Sequence, residues 1–431
     1  MGIDKLNEWN PWWENRESLS EFTGKSRPAY LQILNSIDIK EITILTGVRR
    51  SGKSTLMYQM IDNLLKQGID SKQIVFVNLE DKKLSKDSLD DIYIAYRKEL
   101  NPDRKAYIFF DEIHKKKDWE FWIRKKYDLK TNDKFVISGS CSYLLKKEYS
   151  TLLTGRNISY EIFPLSFEEF LLFKGIEINK DNLKKGIMIE KTRFLILKFL
   201  DEYLDFGGFP EVFFKPINFK IKLSEQYFDD ILYKDIIDRY NPNSQKTKDF
   251  ALFLMTNFTS LISLRNIRNA LGISYDSIKD YLSYYKEAFL FFILNHFSYS
   301  FKEQKTLPSK IYCIDNGLRN AVSFKFSKDK GKLAENVVFI ELRRRGKDIY
   351  YWRNKGEIDF IIKNKDQTLT AINVSYTDEI PEREVFSLKE FESEYKNKVK
   401  ELVLITESME KEEEGIRFVS LWKWLLGMLE E

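Results

Sequence analysis

The residues best suited to chemistry lie in a glycine-rich segment between positions 47 and 54. This segment has the spacing G-x-x-x-x-G-K-[ST] of a phosphate-binding loop. The β-branched run Ile42–Leu45 predicts a buried strand before the loop, and the apolar spacing of Thr55–Leu65 predicts a helix after it. Strand, glycine-rich loop and helix is the context in which this motif holds phosphate. The residues expected to contact a nucleotide are Gly47, Arg49, Arg50, Ser51, Gly52, Lys53, Ser54 and Thr55.

Each part of the loop has a physical role in binding a nucleoside triphosphate. The glycines let the backbone curl, so that successive N–H groups face the phosphates at the start of the helix. Lys53 can reach the β- and γ-phosphates and also assist catalysis, and the Ser54 hydroxyl can ligate Mg²⁺. The loop therefore predicts binding of ATP with Mg²⁺.

A second motif points from nucleotide binding to hydrolysis. The apolar run Tyr107–Phe110 predicts a strand, and it ends in Asp111 and Glu112. Asp111 is placed to hold the Mg²⁺ shell, and Glu112 is placed to act as the general base on the attacking water. The alternative is that the two acids only cap the next helix. The pair is typical of a hydrolase, since one carboxylate is enough to hold the metal.

Hydroxyl groups follow the next predicted strand, Phe135–Ser138. In P-loop ATPases with an Asp-Glu pair, such a strand lies between the loop strand and the strand that carries the acids. Its polar end contacts the γ-phosphate or the water, so Ser138 and Ser140 are both candidate sensor residues. The alternative is an ordinary Ser-Gly-Ser turn.

An arginine is expected to neutralise charge in the transition state of hydrolysis. Arg156 is the candidate, acting within its own chain or across a subunit interface, and Arg49 and Arg50 are rivals. A solvated surface arginine is the alternative for each. Homo-oligomerisation stays open at this point.

Composition restricts the other classes of function. The chain has 431 residues, enough for two or three domains, and its formal charge of +4 gives no general signal for nucleic acid. Two cysteines and two histidines do not make a disulfide framework or a zinc site. The longest apolar run, Ala288–Leu294, is too short to span a bilayer, and the N-terminus lacks a signal-peptide pattern. We expect a cytoplasmic protein with no membrane partner.

Several segments resemble a family of archaeal and bacterial AAA+ ATPases related to the signal-transduction (STAND) ATPases. Besides the phosphate-binding loop, they are Asn10–Trp13, Phe163–Phe170, Gly207–Glu211, Lys310–Gly317 and Gly356–Phe360. The resemblance covers nearly the whole chain, and it implies an α/β fold with a winged helix and a C-terminal domain similar to restriction endonucleases. The expected domains are an AAA+ P-loop domain at 1–165, a helical lid at 166–246, a winged helix at 247–302 and the nuclease-like domain at 303–431.

The winged-helix region has its own signals in the sequence. Helical patterns at Phe250–Ser260, Leu264–Leu271 and Tyr275–Phe289 form a helix-turn-helix spacing, with a wing strand expected from Phe289–Leu294. Acidic residues accompany the lysines of the third helix, so this module is predicted either to bind DNA or to contact protein. Basic clusters at 115–117, 124–126 and 343–345 are either a nucleic-acid surface or solvated faces.

The C-terminal strands match a nuclease motif only in part. PD-(D/E)XK nucleases place an Asp on one strand and Glu-x-Lys on the next, with a helical acid upstream, so that these groups converge on one metal. Here Asp359 matches the first position and Glu335 or Glu341 is the candidate helical acid. Asn373 and Ser375 stand where the acid and the lysine belong. We predict an inactive domain, unless Lys363 or Lys365 supplies the missing charge.

Together these patterns predict a Mg²⁺-dependent AAA+-type ATPase that acts as a nucleotide-driven switch, with DNA or protein as its client. Two other classes stay open. One is a metal-dependent nuclease regulated by ATP, and the other is an ATP-dependent signalling scaffold that binds protein partners.

Overall fold

The computed structural model describes residues 2–142, 153–323, 329–377 and 379–428, and the chain divides into two compact units, Met1–Ile162 and Phe163–Glu431. The strands are β1 Ile42–Thr46, β2 Ile74–Asn78, β3 Ala106–Asp111, β4 Asp133–Gly139, β5 Asn157–Glu161, β6 Leu261–Ile262, β7 Phe291–Leu294, β8 Ser309–Cys313, β9 Asp348–Arg353, β10 Glu357–Lys363, β11 Leu369–Ser375, β12 Val399–Thr406, β13 Lys411–Glu413 and β14 Ile416–Ser420.

Helices connect these strands. Those of seven or more residues within the described ranges are α1 Lys53–Lys66, α2 Leu89–Glu99, α3 Trp119–Asp128, α4 Phe167–Phe173, α5 Glu190–Phe206, α6 Ile217–Asp230, α7 Ser244–Thr256, α8 Leu264–Leu271, α9 Tyr275–Glu287, α10 Asn316–Val322, α11 Lys330–Arg344 and α12 Glu382–Tyr395. Shorter helices are Asp4–Asn7, Ser20–Thr23, Leu31–Asn35, Lys180–Lys184, Pro210–Phe213, Asp238–Tyr240, Phe301–Thr306 and Leu421–Leu425, and a π-helical segment spans Ile231–Ile237. No helix in the described ranges is both long and apolar enough to span a membrane.

A parallel sheet forms the first unit, and its described strands have the order β2-β3-β4-β1-β5. The side chains of β1 and β3 are buried along their full length, as expected for a sheet covered on both faces. β4 lies between β1 and β3, which confirms the strand order expected from the sequence. All carboxyl ends therefore meet at one edge, where the phosphate-binding loop leaves β1.

The N-terminal segment covers the open edge of this sheet at β2. The side-chain amide of Asn10 accepts a hydrogen bond from Phe76 N at 2.7 Å and donates one to Phe76 O at 2.8 Å. Trp13 Nε1 donates to Ile74 O at 2.8 Å. These side chains satisfy backbone groups that an edge strand otherwise exposes, which gives a physical reason for the Asn10–Trp13 motif.

In the second unit, helices α7, α8 and α9 accompany a small antiparallel sheet whose described strands have the order β6-β8-β7, and β6 lies between α7 and α8 in the chain. The wing strand expected at Phe289–Leu294 corresponds to β7. β8, however, is Ser309–Cys313, which lies beyond the domain boundary expected at residue 302. The sheet is completed by a segment that the sequence analysis assigned to the C-terminal domain.

A six-stranded sheet, counted over the described residues, forms the C-terminal part of the second unit, in the order β13-β14-β12-β11-β10-β9. Its strands β9 to β12 overlap the four strands that the apolar patterns at 349–352, 357–362, 369–376 and 401–405 predict. The charge run at 410–414 predicts a solvated loop. The structure instead places the short edge strand β13 there. Its residues are exposed, because β13 pairs only along one side and carries charged side chains.

Asp315 connects three of the segments that resemble the AAA+ family. Its carboxylate accepts hydrogen bonds from Gly208 N at 2.7 Å, Gly317 N at 2.8 Å and Leu318 N at 3.3 Å. Gly208 O in turn accepts from Leu165 N at 2.7 Å. Burial raises the pKa of Asp315 to about 6, although the three amides favour its charged form. The segments at 163–170, 207–211 and 310–317 thus form one buried hydrogen-bonded junction.

Candidate nucleotide site

Backbone conformation and close packing fix the phosphate-binding loop. Gly47 has φ of 141°, and a Cβ there would lie 2.1 Å from Ile162 O, so the position requires glycine. Gly52, which precedes α1, has φ of 99°. Lys53 is 4% exposed, and its Nζ donates to Gly47 O and Val48 O at 3.0 Å each. The lysine ammonium is therefore held over the loop by the loop's own carbonyl groups.

Two hydroxyl groups hold Asp111 at the end of β3. Ser54 Oγ donates to Asp111 Oδ2 at 2.6 Å, and Ser138 Oγ donates to Asp111 Oδ1. Burial, together with the neighbouring charge of Glu112, raises the pKa of Asp111. The predicted metal ligands Ser54 and Asp111 are thus in direct contact, and Ser138 orients the carboxylate from the far side.

Glu112 is fixed by β4 and by the turn that follows β3. Its backbone is left-handed, with φ of 54° and ψ of 48°, and its N–H donates to Ser138 Oγ at 3.2 Å. Its Oε2 accepts from Ser140 N at 3.1 Å and lies 3.3 Å from His114 Nδ1. A non-glycine residue in this conformation is strained, and such strain is frequent at functional sites. Both candidate sensor serines therefore contact the acidic pair, Ser138 through its hydroxyl and Ser140 through its backbone.

The two loop arginines differ in their surroundings. Arg49 is buried and donates to both carboxylate oxygens of Glu80, at 2.9 Å and 3.3 Å. Burial alone would raise the pKa of Glu80, but Arg49 together with Lys115 lowers it to about 2. Arg50 is exposed, with φ of 69°. Arg49 is therefore directed at the end of β2 by its pairing with Glu80.

Arg156 lies at the opposite edge of the sheet from the loop. Its carbonyl accepts from Ile42 N at 2.8 Å, at the beginning of β1, whereas the loop follows the end of β1. Five strand residues separate these points, a distance of roughly 15 Å. Its guanidinium pairs with Asp128 at 2.8 Å. This position does not support action of Arg156 on the site of its own chain, and its role as an arginine finger, within the chain or on a neighbouring subunit, stays a prediction.

Three side chains near the site were missed by the sequence analysis. Arg27 donates to Ser51 O at 3.0 Å, Glu80 binds Arg49, and His114 lies beside Glu112. None of the three belongs to a recognised motif. Only His114 could have been found from the sequence, because it lies two residues beyond the acidic pair.

The residues present fit a nucleoside triphosphate with its metal ion. Ser51 Oγ is buried, and no partner for it occurs within the described part of the chain. It is therefore available to donate a hydrogen bond to an oxygen of a bound phosphate. Lys53 supplies positive charge beside it, and Ser54 with Asp111 supplies the oxygen ligands that Mg²⁺ requires. Thr55 continues α1 directly behind this pair and is half-buried.

Comparisons with known proteins agree with this geometry. Residues 39–171 match the family described as AAA domain, and residues 197–329 and 330–424 match two domains of unknown function. An uncharacterized protein of Methanocaldococcus jannaschii is 35% identical over 419 residues, which cover 91% of each chain. The chain belongs to this family of AAA-domain proteins. Another member, an uncharacterized protein of Haemophilus influenzae, is 33% identical over 93% of this chain and 98% of its own length.

Solved structures are also similar to this AAA-domain protein. The Aeropyrum pernix ORC1 protein in complex with DNA has a TM-score of 0.32 and 11% identity, covering 72% of this chain and 92% of its own. AMPPCP-bound DnaA from Aquifex aeolicus has a TM-score of 0.25 and 12% identity, covering 58% and 83%.

Proposed function

We propose that this AAA-domain protein is a Mg²⁺-dependent ATPase that works as a nucleotide-driven switch. The observation that carries the proposal is the joint placement of Ser54, Asp111 and Glu112. The first two are joined at 2.6 Å, and the third is held by the backbone of Ser140 at 3.1 Å. A protein that only bound nucleotide would not need the second, separately positioned carboxylate.

The residues divide the reaction between them. Loop amides and Lys53 bind and orient the phosphates, and Ser54 and Asp111 would hold the metal ion, which supplies charge neutralisation when bound. Glu112 accepts a proton from water, whose oxygen bonds to the γ-phosphorus as the bond to the bridging oxygen breaks. The products are ADP and inorganic phosphate. Ser138 keeps Asp111 oriented throughout.

We propose that the second unit contacts the client of the switch, which is DNA or protein. Residues 166–246 are assigned as a helical lid. The order of helices and strands from α7 to β8 supports a winged helix, which extends to residue 313 rather than to 302. The arrangement of α11, β9, β10, β11, α12 and β12 supports a nuclease-like fold for the remainder, and the STAND relationship stays part of the proposal.

An ATPase assay with and without single- and double-stranded DNA tests this function. We expect Mg²⁺-dependent phosphate release by the purified chain and none by Lys53→Ala. Stimulation by DNA would identify a nucleic-acid client, and unchanged turnover would argue against one. Failure to release phosphate in the presence of Mg²⁺, with or without DNA, would contradict the proposal.

A further inference from the structure

Three carboxylates surround one buried lysine in the second unit. Lys310 Nζ on β8 lies 2.8 Å from Glu357 Oε1 and 2.8 Å from Asp359 Oδ1 on β10. It also lies 3.2 Å from Glu335 Oε1 on α11. The lysine side chain is 3% exposed, so its ammonium is almost completely removed from water. The cluster therefore joins a strand of the three-stranded sheet to a strand of the six-stranded sheet and to α11.

The cluster contains the acids that the nuclease pattern predicted. Asp359 is present, and Glu335 is the helical acid, because Glu341 is instead paired with Arg344 and Arg345. The positive charge beside these acids belongs to Lys310, and not to Lys363 or Lys365 as the sequence left open.

Asn373, which replaces the second acid of the pattern, has a structural role. Its Oδ1 accepts from Asp359 N at 3.1 Å, and its Nδ2 donates to Glu384 Oε2 at 2.9 Å. Asp359 Oδ2 also accepts from Val374 N at 3.0 Å. Asn373 therefore fixes the cluster, and its amide nitrogen faces a carboxylate rather than a metal position.

Electrostatics favours the ammonium at the centre. Burial alone would lower the pKa of Lys310, but the charges of Asp359 and Glu335 raise it well above its ordinary value. Burial and the charge of Asp359 raise the pKa of Glu335 to about 7. Tyr312 OH donates to the same Glu335 oxygen at 2.7 Å. The ammonium and the phenol thus share Glu335 Oε1, and the ammonium also lies against Glu357 Oε1 and Asp359 Oδ1.

A divalent metal, which a nuclease-like fold implies, does not fit this arrangement. Hard cations such as Mg²⁺ and Mn²⁺ bind several oxygens at short distances, and the shared oxygens are here directed at Lys310 Nζ. Among the residues that the structure describes, no group of three or more His, Cys, Asp or Glu side chains is arranged to hold a metal ion.

We propose that the ammonium of Lys310 is the permanent cation of this carboxylate cluster and excludes a divalent metal ion from it. The lysine stabilises three carboxylates that would otherwise repel one another, and it joins β8 to β10 and α11. The C-terminal sheet therefore has a structural or binding role without metal-dependent DNA cleavage. This inference is independent of ATP hydrolysis at the first unit.

Removal of the lysine charge tests the proposal. Lys310→Met and the wild type, both free of nucleotide, are titrated with Mn²⁺, and bound Mn²⁺ is counted by electron paramagnetic resonance. We expect Lys310→Met to bind about one more Mn²⁺ per chain than the wild type. Mn²⁺ should also raise its thermal unfolding midpoint, as a ligand of the folded state does. Lys363→Met, which removes an exposed lysine from the same strand as Asp359, should behave like the wild type.

A second variant keeps the test informative if Lys310→Met does not fold. Lys310→Met/Glu335→Gln removes one charge of each sign, and it should fold and lose the additional Mn²⁺. Equal Mn²⁺ binding by the wild type and Lys310→Met would overturn the proposal, as would a Lys310→Met protein that stays unfolded in Mn²⁺. Wild-type Mn²⁺ binding that Glu335→Gln abolishes would also overturn it. So would plasmid cleavage that disappears in Asp359→Ala and survives in Lys53→Ala.

Discussion

Ser54 Oγ and Asp111 Oδ2 are joined by a hydrogen bond of 2.6 Å, although 57 residues separate them in the chain. The contact exists because the strand order places the ends of β1 and β3 at the same edge, with β4 between them. Ser54 is the last residue of the loop motif and lies in the first turn of α1, where its hydroxyl reaches the end of β3. The pair therefore connects the phosphate-binding loop to the acidic residues of the proposed hydrolytic centre.

Ser138, near the end of β4, and Ser140, just after it, are expected to differ in their contribution to hydrolysis. Ser138→Ala removes the hydroxyl that orients Asp111 and accepts from Glu112 N. Loss of such a supporting contact at a metal site typically costs about 10–100-fold in activity or metal affinity. Ser140→Ala keeps its backbone bond to Glu112 and should cost much less. Equal rates of phosphate release by the two variants would contradict this assignment.

Arg156 is expected to act only on the site of another subunit. Arg156→Ala should lower the hydrolysis rate by about 10³-fold or more and leave ATP affinity unchanged, because an arginine finger acts on transition-state charge. Arg124→Ala is the matched control, since Arg124 also pairs with Asp128. Mixtures of Arg156→Ala and Glu112→Gln chains should recover activity. A monomeric protein with unchanged activity in Arg156→Ala would show that the arginine only binds Asp128.

Gly207 is expected to be essential for the junction around Asp315. Its φ of 72° and ψ of −164° suit glycine almost alone, and a Cβ there would lie 1.9 Å from Asp315 Oδ1. Gly207→Ala should therefore lower the free energy of unfolding by about 3 kcal/mol or more. Gly186 has the same φ with nothing within 4 Å, so Gly186→Ala should cost about 1 kcal/mol. Similar denaturation midpoints for both variants would mean that the carboxylate can move away.

Local patterns were enough to predict the loop, the acidic pair and most strands. The phosphate-binding loop and the run ending at Asp111 are contiguous, and each carries its chemistry within a few residues. β5 was missed because Asn157–Glu161 is a short edge strand with no buried residue, so no continuous apolar run marks it. β8 is short, and its pairing with β7 is long-range.

Contacts between distant residues could not be predicted from the sequence. Lys310 is 25 residues from Glu335 and 49 from Asp359, and no spacing rule relates a lysine on one strand to acids on other elements. The pairing of Arg49 with Glu80 and the position of Arg156 depend in the same way on strand order. Residue types and their local spacing can be read from the sequence, whereas the tertiary fold decides which distant residues are in contact.

ATP binding and phosphate release, measured on the same preparations of wild type, Glu112→Gln and Lys53→Ala, test the central claim most directly. The account predicts that Glu112→Gln binds ATP as the wild type does while its hydrolysis falls about 10²–10⁴-fold, because the general base is lost. Lys53→Ala should lose tight ATP binding. Wild-type turnover by Glu112→Gln, or wild-type ATP affinity in Lys53→Ala, would contradict the account.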